Sequence, residues 1–129
     1  MEQTAWPSEG TRLVSQVQPT GFIPVTREAL DEIVRRIVGA LRPRKIILFG
    51  SYARRTPSDD SDVDLLIVMD TEERPAERYL AVSRLLRPRP FPIDILVKTP
   101  QEVVQALEQQ DSFITDIIAH GQVLYERDR

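Results

Sequence analysis

The sequence predicts an α/β (α+β) fold in which a small mixed β-sheet is flanked by helices, and three observations carry that reading. Apolar residues recur at three- and four-residue steps over residues 29–41. Two short β-branched apolar runs, 45–49 and 63–69, suit buried strands. Further helical stretches alternate with these runs, so helices and a sheet share one layered core. A length of 129 residues, 41% hydrophobic and 29% charged, fits a single domain with one ordinary core.

Residues 1–24 carry Pro7, Gly10, Pro19, Gly21 and Pro24 without a sustained apolar period, which predicts a flexible N-terminal arm ahead of a domain over 25–129. Thr26 is placed to cap the first helix, whose apolar stripe is Ala29, Leu30, Ile33, Val34, Ile37, Val38 and Leu41, and Pro43 stops it. Residues 45–49 form the first strand and end at Gly50. A short polar segment rich in turn formers, read as a short helix and loop, leads to the second strand at 63–69.

Pro75 opens the next helix, with Ala76, Tyr79, Leu80, Val82, Leu85 and Leu86 as its expected buried side and Pro88 and Pro90 beyond its end. A third strand is expected over 91–97. Thr99-Pro100-Gln101-Glu102 combines a capping Thr, a Pro at the first helical position and a Glu three residues after the cap. A last helix over 112–120 ends at Gly121, and Val123-Leu124-Tyr125 adds a short strand.

Composition excludes several classes. The chain has no cysteine and hence no disulfide or thiolate metal site. No stretch approaches the roughly 18 consecutive apolar residues of a membrane span. A formal net charge of -3 argues against general nucleic-acid binding, which needs a broad basic face. The start, MEQTAWPSEG, lacks the basic and apolar segments of a secretory signal, so a soluble cytoplasmic protein is expected.

Three aspartates interrupt the apolar strands: Asp62 and Asp64 at the entrance to the second, and Asp94 within the third. A carboxylate among buried neighbours is costly unless paired or bound to a cation. Asp62 and Asp64 point to one face, roughly 6.6 Å apart at a strand rise of about 3.3 Å per residue. If the third strand lies beside the second, Asp94 joins them in an all-oxygen site for magnesium, with two ions sharing Asp62 and Asp64. Such ions would neutralise a triphosphate and activate an attacking hydroxyl, with Asp94 on the nucleophile side.

Gly50-Ser51-Tyr52-Ala53-Arg54 follows a strand directly. Gly50 permits close backbone approach, Ser51 offers a hydroxyl, and a helix start aims amide N–H groups at an anion. Arg54 or Arg55 adds charge-assisted bonds to a phosphate. Taken singly, the Gly-Ser pair also suits an ordinary turn, the Asp-rich loop a solvated one, and Asp94 a water-facing carboxylate on an edge strand near Pro90 and Pro92. Together, in this order, they favour a nucleotide site. Arg42, Arg44, Lys45, Arg84, Arg87 and Arg89 are read as solvated flanks or helix-end charges, His120 as a helix-end surface residue, and Trp6 as an aromatic in a tail.

Gly-Ser-Tyr-Ala-Arg, followed after a polar loop by Ser61-Asp62-Val63-Asp64-Leu65-Leu66-Ile67-Val68, resembles the signature of the DNA polymerase β-like nucleotidyltransferase superfamily, in its minimal nucleotidyltransferase (MNT) branch. The likeness covers about residues 26–126, including the strand bearing Asp94 and the ending Ile-Ile-Ala-His-Gly-Gln-Val-Leu-Tyr. Arg55 stands where relatives commonly have Gly. The resemblance implies magnesium-dependent transfer of AMP from ATP, with Asp62, Asp64 and Asp94 as catalytic metal ligands and Gly50, Ser51 and Arg54 on the nucleotide. It further implies a HEPN-type toxin as partner, modified on a tyrosine by this chain as antitoxin, in a homo- or hetero-oligomer. A small-molecule acceptor of the aminoglycoside kind, or an antitoxin acting by binding alone, are the competing readings.

Overall fold

The computed structural model describes residues 25–55 and 62–127. The expected arm over 1–24 therefore lies outside the described residues, as do residues 56–61.

The first helix, α1, runs Arg27–Leu41, and the Thr26 hydroxyl accepts from the Ala29 N–H at 3.1 Å. Arg42 then takes a left-handed conformation and Pro43 is buried, which turns the chain into β1, Lys45–Phe49. One helical turn, α2 (Ser51–Arg54), follows, and then β2 (Val63–Val68), α3 (Pro75–Leu85), β3 (Ile93–Lys98), α4 (Pro100–Glu108), α5 (Ser112–His120) and β4 (Gln122–Glu126). The Thr99 capping box forms as expected, with the Thr99 hydroxyl accepting from the Glu102 N–H and the Glu102 carboxylate accepting from the Thr99 N–H.

The four strands lie in the order β3-β2-β1-β4. β1 runs antiparallel to both neighbours, while β2 and β3 are parallel. Parallel neighbours need a long crossover, which α3 supplies.

Alternation along the strands divides the core between two faces. Ile46, Leu48, Val63, Leu65, Ile67, Ile93, Ile95 and Val97 pack with Leu30, Ile33 and Ile37 of α1 and Val82 of α3. Ile47, Leu66 and Val68 face the other way, onto Ile114 and Ile117 of α5, with Val103 and Ala106 of α4 at the margin. Helices therefore cover both faces. Among the described residues, no helix is long and apolar enough to cross a membrane.

The buried side of α3 differs from the expectation. Arg78, Val82 and Ser83 are buried, with Leu86 just past the helix, whereas Ala76, Tyr79 and Leu80 stand exposed. The reason is polar rather than apolar: Arg78 donates from both terminal nitrogens to Glu102, at 2.8 and 3.2 Å, and from Nε to the Glu73 carbonyl at 2.7 Å. A guanidinium held by three hydrogen bonds thus takes a position that hydropathy assigns to an apolar residue. Arg89 departs in the same way from a solvated flank. Its guanidinium bonds the Ile93 carbonyl at 2.6 Å and the Ser83 hydroxyl at 2.8 Å, which fastens the start of β3 to α3.

Hydrogen bonds from Arg78 hold the Glu102 carboxyl below its usual range. A lowered carboxylate pKa stabilises the fold above the ordinary pKa, and the contribution is lost as acidification protonates Glu102. Arg78→Ala is expected to lower the unfolding free energy by about 2 kcal/mol in urea at neutral pH. The difference from the parent should shrink below pH of about 4.

Candidate active site

Strand register builds the site. Asp64 of β2 is paired with Phe49 of β1 on one side and with Asp94 of β3 on the other. Directly paired residues share a face, so Phe49, Asp64 and Asp94 form a row across three strands. Asp64 alternates with Val63 and Leu65, and Asp94 with Ile93 and Ile95, all in the cluster beneath α1 and α3. Both aspartates therefore stand on the α4–α5 face, at the Phe49 end of the strands. Asp62 lies two residues upstream, just before β2.

The electrostatics follow from this crowding. The Asp64 carboxyl is pushed up to about 6, first by burial and then by the charges of Asp94 and Asp62, with Arg54 pulling the other way. Asp94 itself is exposed on the edge strand β3. Burial is thus not what calls for a partner at Asp94, as its apolar sequence neighbours suggest; closeness to Asp64 is.

A hard cation fits the chemistry of this donor set, three carboxylates converging their charge with a neighbouring backbone turn. Among the described residues, no three His, Cys, Asp or Glu side chains already stand in metal-ligating geometry. The fit rests on backbone placement and on mutual repulsion that a cation would relieve.

Gly50 lies against the same carboxylate. Its backbone has φ 78° and ψ -154°, a region open to glycine almost alone. A Cβ there would lie 2.2 Å from Asp64 Oδ2. The close approach expected of Gly50 is therefore, in the first place, to Asp64. Ser51 begins α2 and Arg54 ends it, so the structure brings Gly50, Ser51 and Arg54 to the acidic row. A surface cavity of about 310 Å³, bordered by Lys45, Val68 and Arg127, lies at the opposite end of the strands and includes none of these residues.

Residues 31–129 match the family described as Polymerase beta, Nucleotidyltransferase. The chain belongs to that family. A stretch of 47 residues is 47% identical to a provisionally named protein adenylyltransferase of Methanocaldococcus jannaschii, covering 35% of this chain and 47% of that protein. The matched stretch spans about half the relative's length. A crystal structure of a provisionally named nucleotidyltransferase from Sulfolobus solfataricus superposes with a TM-score of 0.57 at 24% identity, over 79% of this chain and 81% of that one. It shares the fold, a mixed four-stranded sheet flanked by helices.

Arg55 has a physical account. It occupies the left-handed position that ends α2, at φ 63°, with its N–H directed to the Ser51 and Tyr52 carbonyls. Glycine is the residue that tolerates this conformation without cost, which explains why a Gly is expected here. Arg55→Gly should therefore raise stability by roughly 1 kcal/mol, read as a higher thermal midpoint. A lower midpoint would contradict the assignment.

Helix α5 contributes neighbours that the sequence reading did not assign. Phe113 meets Phe49 edge-to-face, with ring centroids 5.7 Å apart and planes at 82°. Asp116 and His120 line a narrow groove with Phe49, Gly50, Ala53 and Arg54. His120 is a surface residue, as expected, and its Nδ1 lies 3.1 Å from Asp116 Oδ1. The Gln122 side-chain amide donates to the Ala53 carbonyl at 3.1 Å, which ties the start of β4 to α2. The signal for Phe113 was present, since it precedes the buried pair Ile114 and Ile117 at an offset that faces another way.

Proposed function

We propose that this nucleotidyltransferase moves AMP from ATP to a hydroxyl of a partner protein, with magnesium held by Asp62, Asp64 and Asp94. The observation that carries the reading is the in-register pairing of Asp64 with Asp94, directly against the Gly50 backbone. Magnesium bound there would neutralise triphosphate charge and favour the ionised acceptor.

The chain's own groups take the remaining roles. Gly50 and Ser51 offer the backbone N–H and hydroxyl to the phosphates, and Arg54 holds the departing end by charge-assisted bonds. Asp94, exposed on the edge strand, faces the acceptor and takes the proton of its hydroxyl. The acceptor oxygen then bonds to the α-phosphorus while the bond to pyrophosphate breaks, and pyrophosphate leaves.

A protein acceptor is favoured by the name of the Methanocaldococcus jannaschii relative and by the resemblance to the MNT group. In that setting the acceptor is a tyrosine of a HEPN-type toxin, this chain is the antitoxin, and the pair works in the cytoplasm, with residues 25–129 as the transferase domain.

The test is incubation with α-labelled ATP, magnesium and a candidate helical partner, repeated with Asp62→Ala and Asp64→Ala. Label is expected on the partner with the parent chain and absent with either variant. Label found on an added aminoglycoside alone would move the acceptor to small molecules. Neutralisation of the partner by both variants, with no labelling anywhere, would establish an antitoxin that acts by binding.

A further inference from the structure

We propose that the exposed ring of Phe113 is the stacking platform for the purine base of the nucleotide, an inference that rests on the function just proposed. The starting point is position. Phe113 touches Phe49, and Phe49 is the strand neighbour of Asp64, so an aromatic surface borders the acidic row on the α5 side.

Phe113 is 54% exposed on a helix that buries Ile114 and Ile117. Its edge-to-face contact with Phe49 leaves ring surface open toward solvent beside the site. Four of the other exposed apolar side chains among the described residues sit away from the row. Val104 and Ile118 border the cavity at the far end of the strands, and Tyr79 and Leu80 belong to α3 on the opposite face.

The surroundings of the row divide by chemistry. Gly50, Ser51 and Arg54 offer polar and cationic groups, which suit phosphates. Asp94 occupies the edge strand, on the side open to an acceptor. Among the described residues, the Phe49–Phe113 pair is the aromatic surface that remains, and a base has a π-face to lay on it. Stacking of this kind favours the larger purine surface and reads little of the base edge.

The experiment compares binding of ATP and of inorganic tripolyphosphate, both with magnesium, to the parent chain, Phe113→Ala and Phe113→Tyr. Phe113→Ala is expected to weaken ATP about tenfold and leave tripolyphosphate unchanged, and Phe113→Tyr to keep the parent affinity for both. Equal weakening of the two ligands, unchanged ATP affinity, or an effect confined to the KM of the acceptor would overturn the inference. A parent chain that binds neither ligand would instead remove the functional reading beneath it, and that result is distinct from one that concerns Phe113 alone.

Discussion

Asp64→Asn is expected to abolish nucleotidyl transfer while making the metal-free fold more stable. On the functional side, the loss follows if Asp64 is the central carboxylate of the row, flanked by Asp62 in sequence and Asp94 in register. Metal assistance supplies several kcal/mol of barrier lowering, so removing a ligand should cost roughly a thousandfold in rate.

On the stability side, the sign comes from the raised pKa. A carboxyl whose pKa rises from 3.8 to about 6 on folding is held more comfortably protonated than charged. Its contribution favours the fold below the unfolded value and is lost as pH climbs through about 6. Near neutrality the charged Asp64 therefore opposes folding, chiefly through burial and through Asp94 and Asp62. Asparagine imitates the protonated form. The variant should melt a few degrees above the parent at pH 7 without metal, and the gap should close as pH falls below about 4. Magnesium should raise the parent's midpoint and have little effect on the variant. A variant that melts below the parent at pH 7 would refute the crowding argument.

Gly50→Ala is expected to be strongly destabilising. The added methyl group would stand 2.2 Å from Asp64 Oδ2, and the backbone there is one that L-residues rarely adopt. Strain of this type costs roughly 1–3 kcal/mol before the clash is counted, so a loss of about 3 kcal/mol in a denaturant melt is expected. Activity should fall with it, because Asp64 has to move. The contact can be isolated: combining Gly50→Ala with Asp64→Ser should cost less than the sum of the two single changes. Strict additivity would show that the methyl group and the carboxylate do not meet.

Much of this was legible in the residues. Asp62, Asp64, Asp94 and Gly50 break strand patterns in ways that hydropathy cannot explain, and Thr26, Thr99 and Pro75 mark helix starts by local chemistry alone. Register was not legible. Whether Asp64 falls beside Asp94 or two residues away depends on how the α3 crossover returns the chain, a long-range matter that leaves no local mark. Arg78 and Tyr79 misled for a related reason. Apolar periodicity cannot foresee a guanidinium that gathers three hydrogen bonds and displaces its apolar neighbours to the surface. Arg89 was missed likewise, since its partners Ile93 and Ser83 become neighbours only once β3 docks on α3.

The unequal packing of the two sheet faces has a consequence for motion. Beneath α1 and α3 the core is broad. Beneath α4 and α5 it consists, among the described residues, of Ile47, Leu66, Val68, Ile114 and Ile117, and α4 has no fully buried side chain. Subglobal openings release the least-anchored elements first, so amide hydrogens of α4 and α5 should exchange with deuterium sooner than those of α1 and β2. The floor bearing Gly50 and Asp64 would then persist through fluctuations in which Phe113 and His120 lift away, leaving a rigid bed with a single adjustable wall.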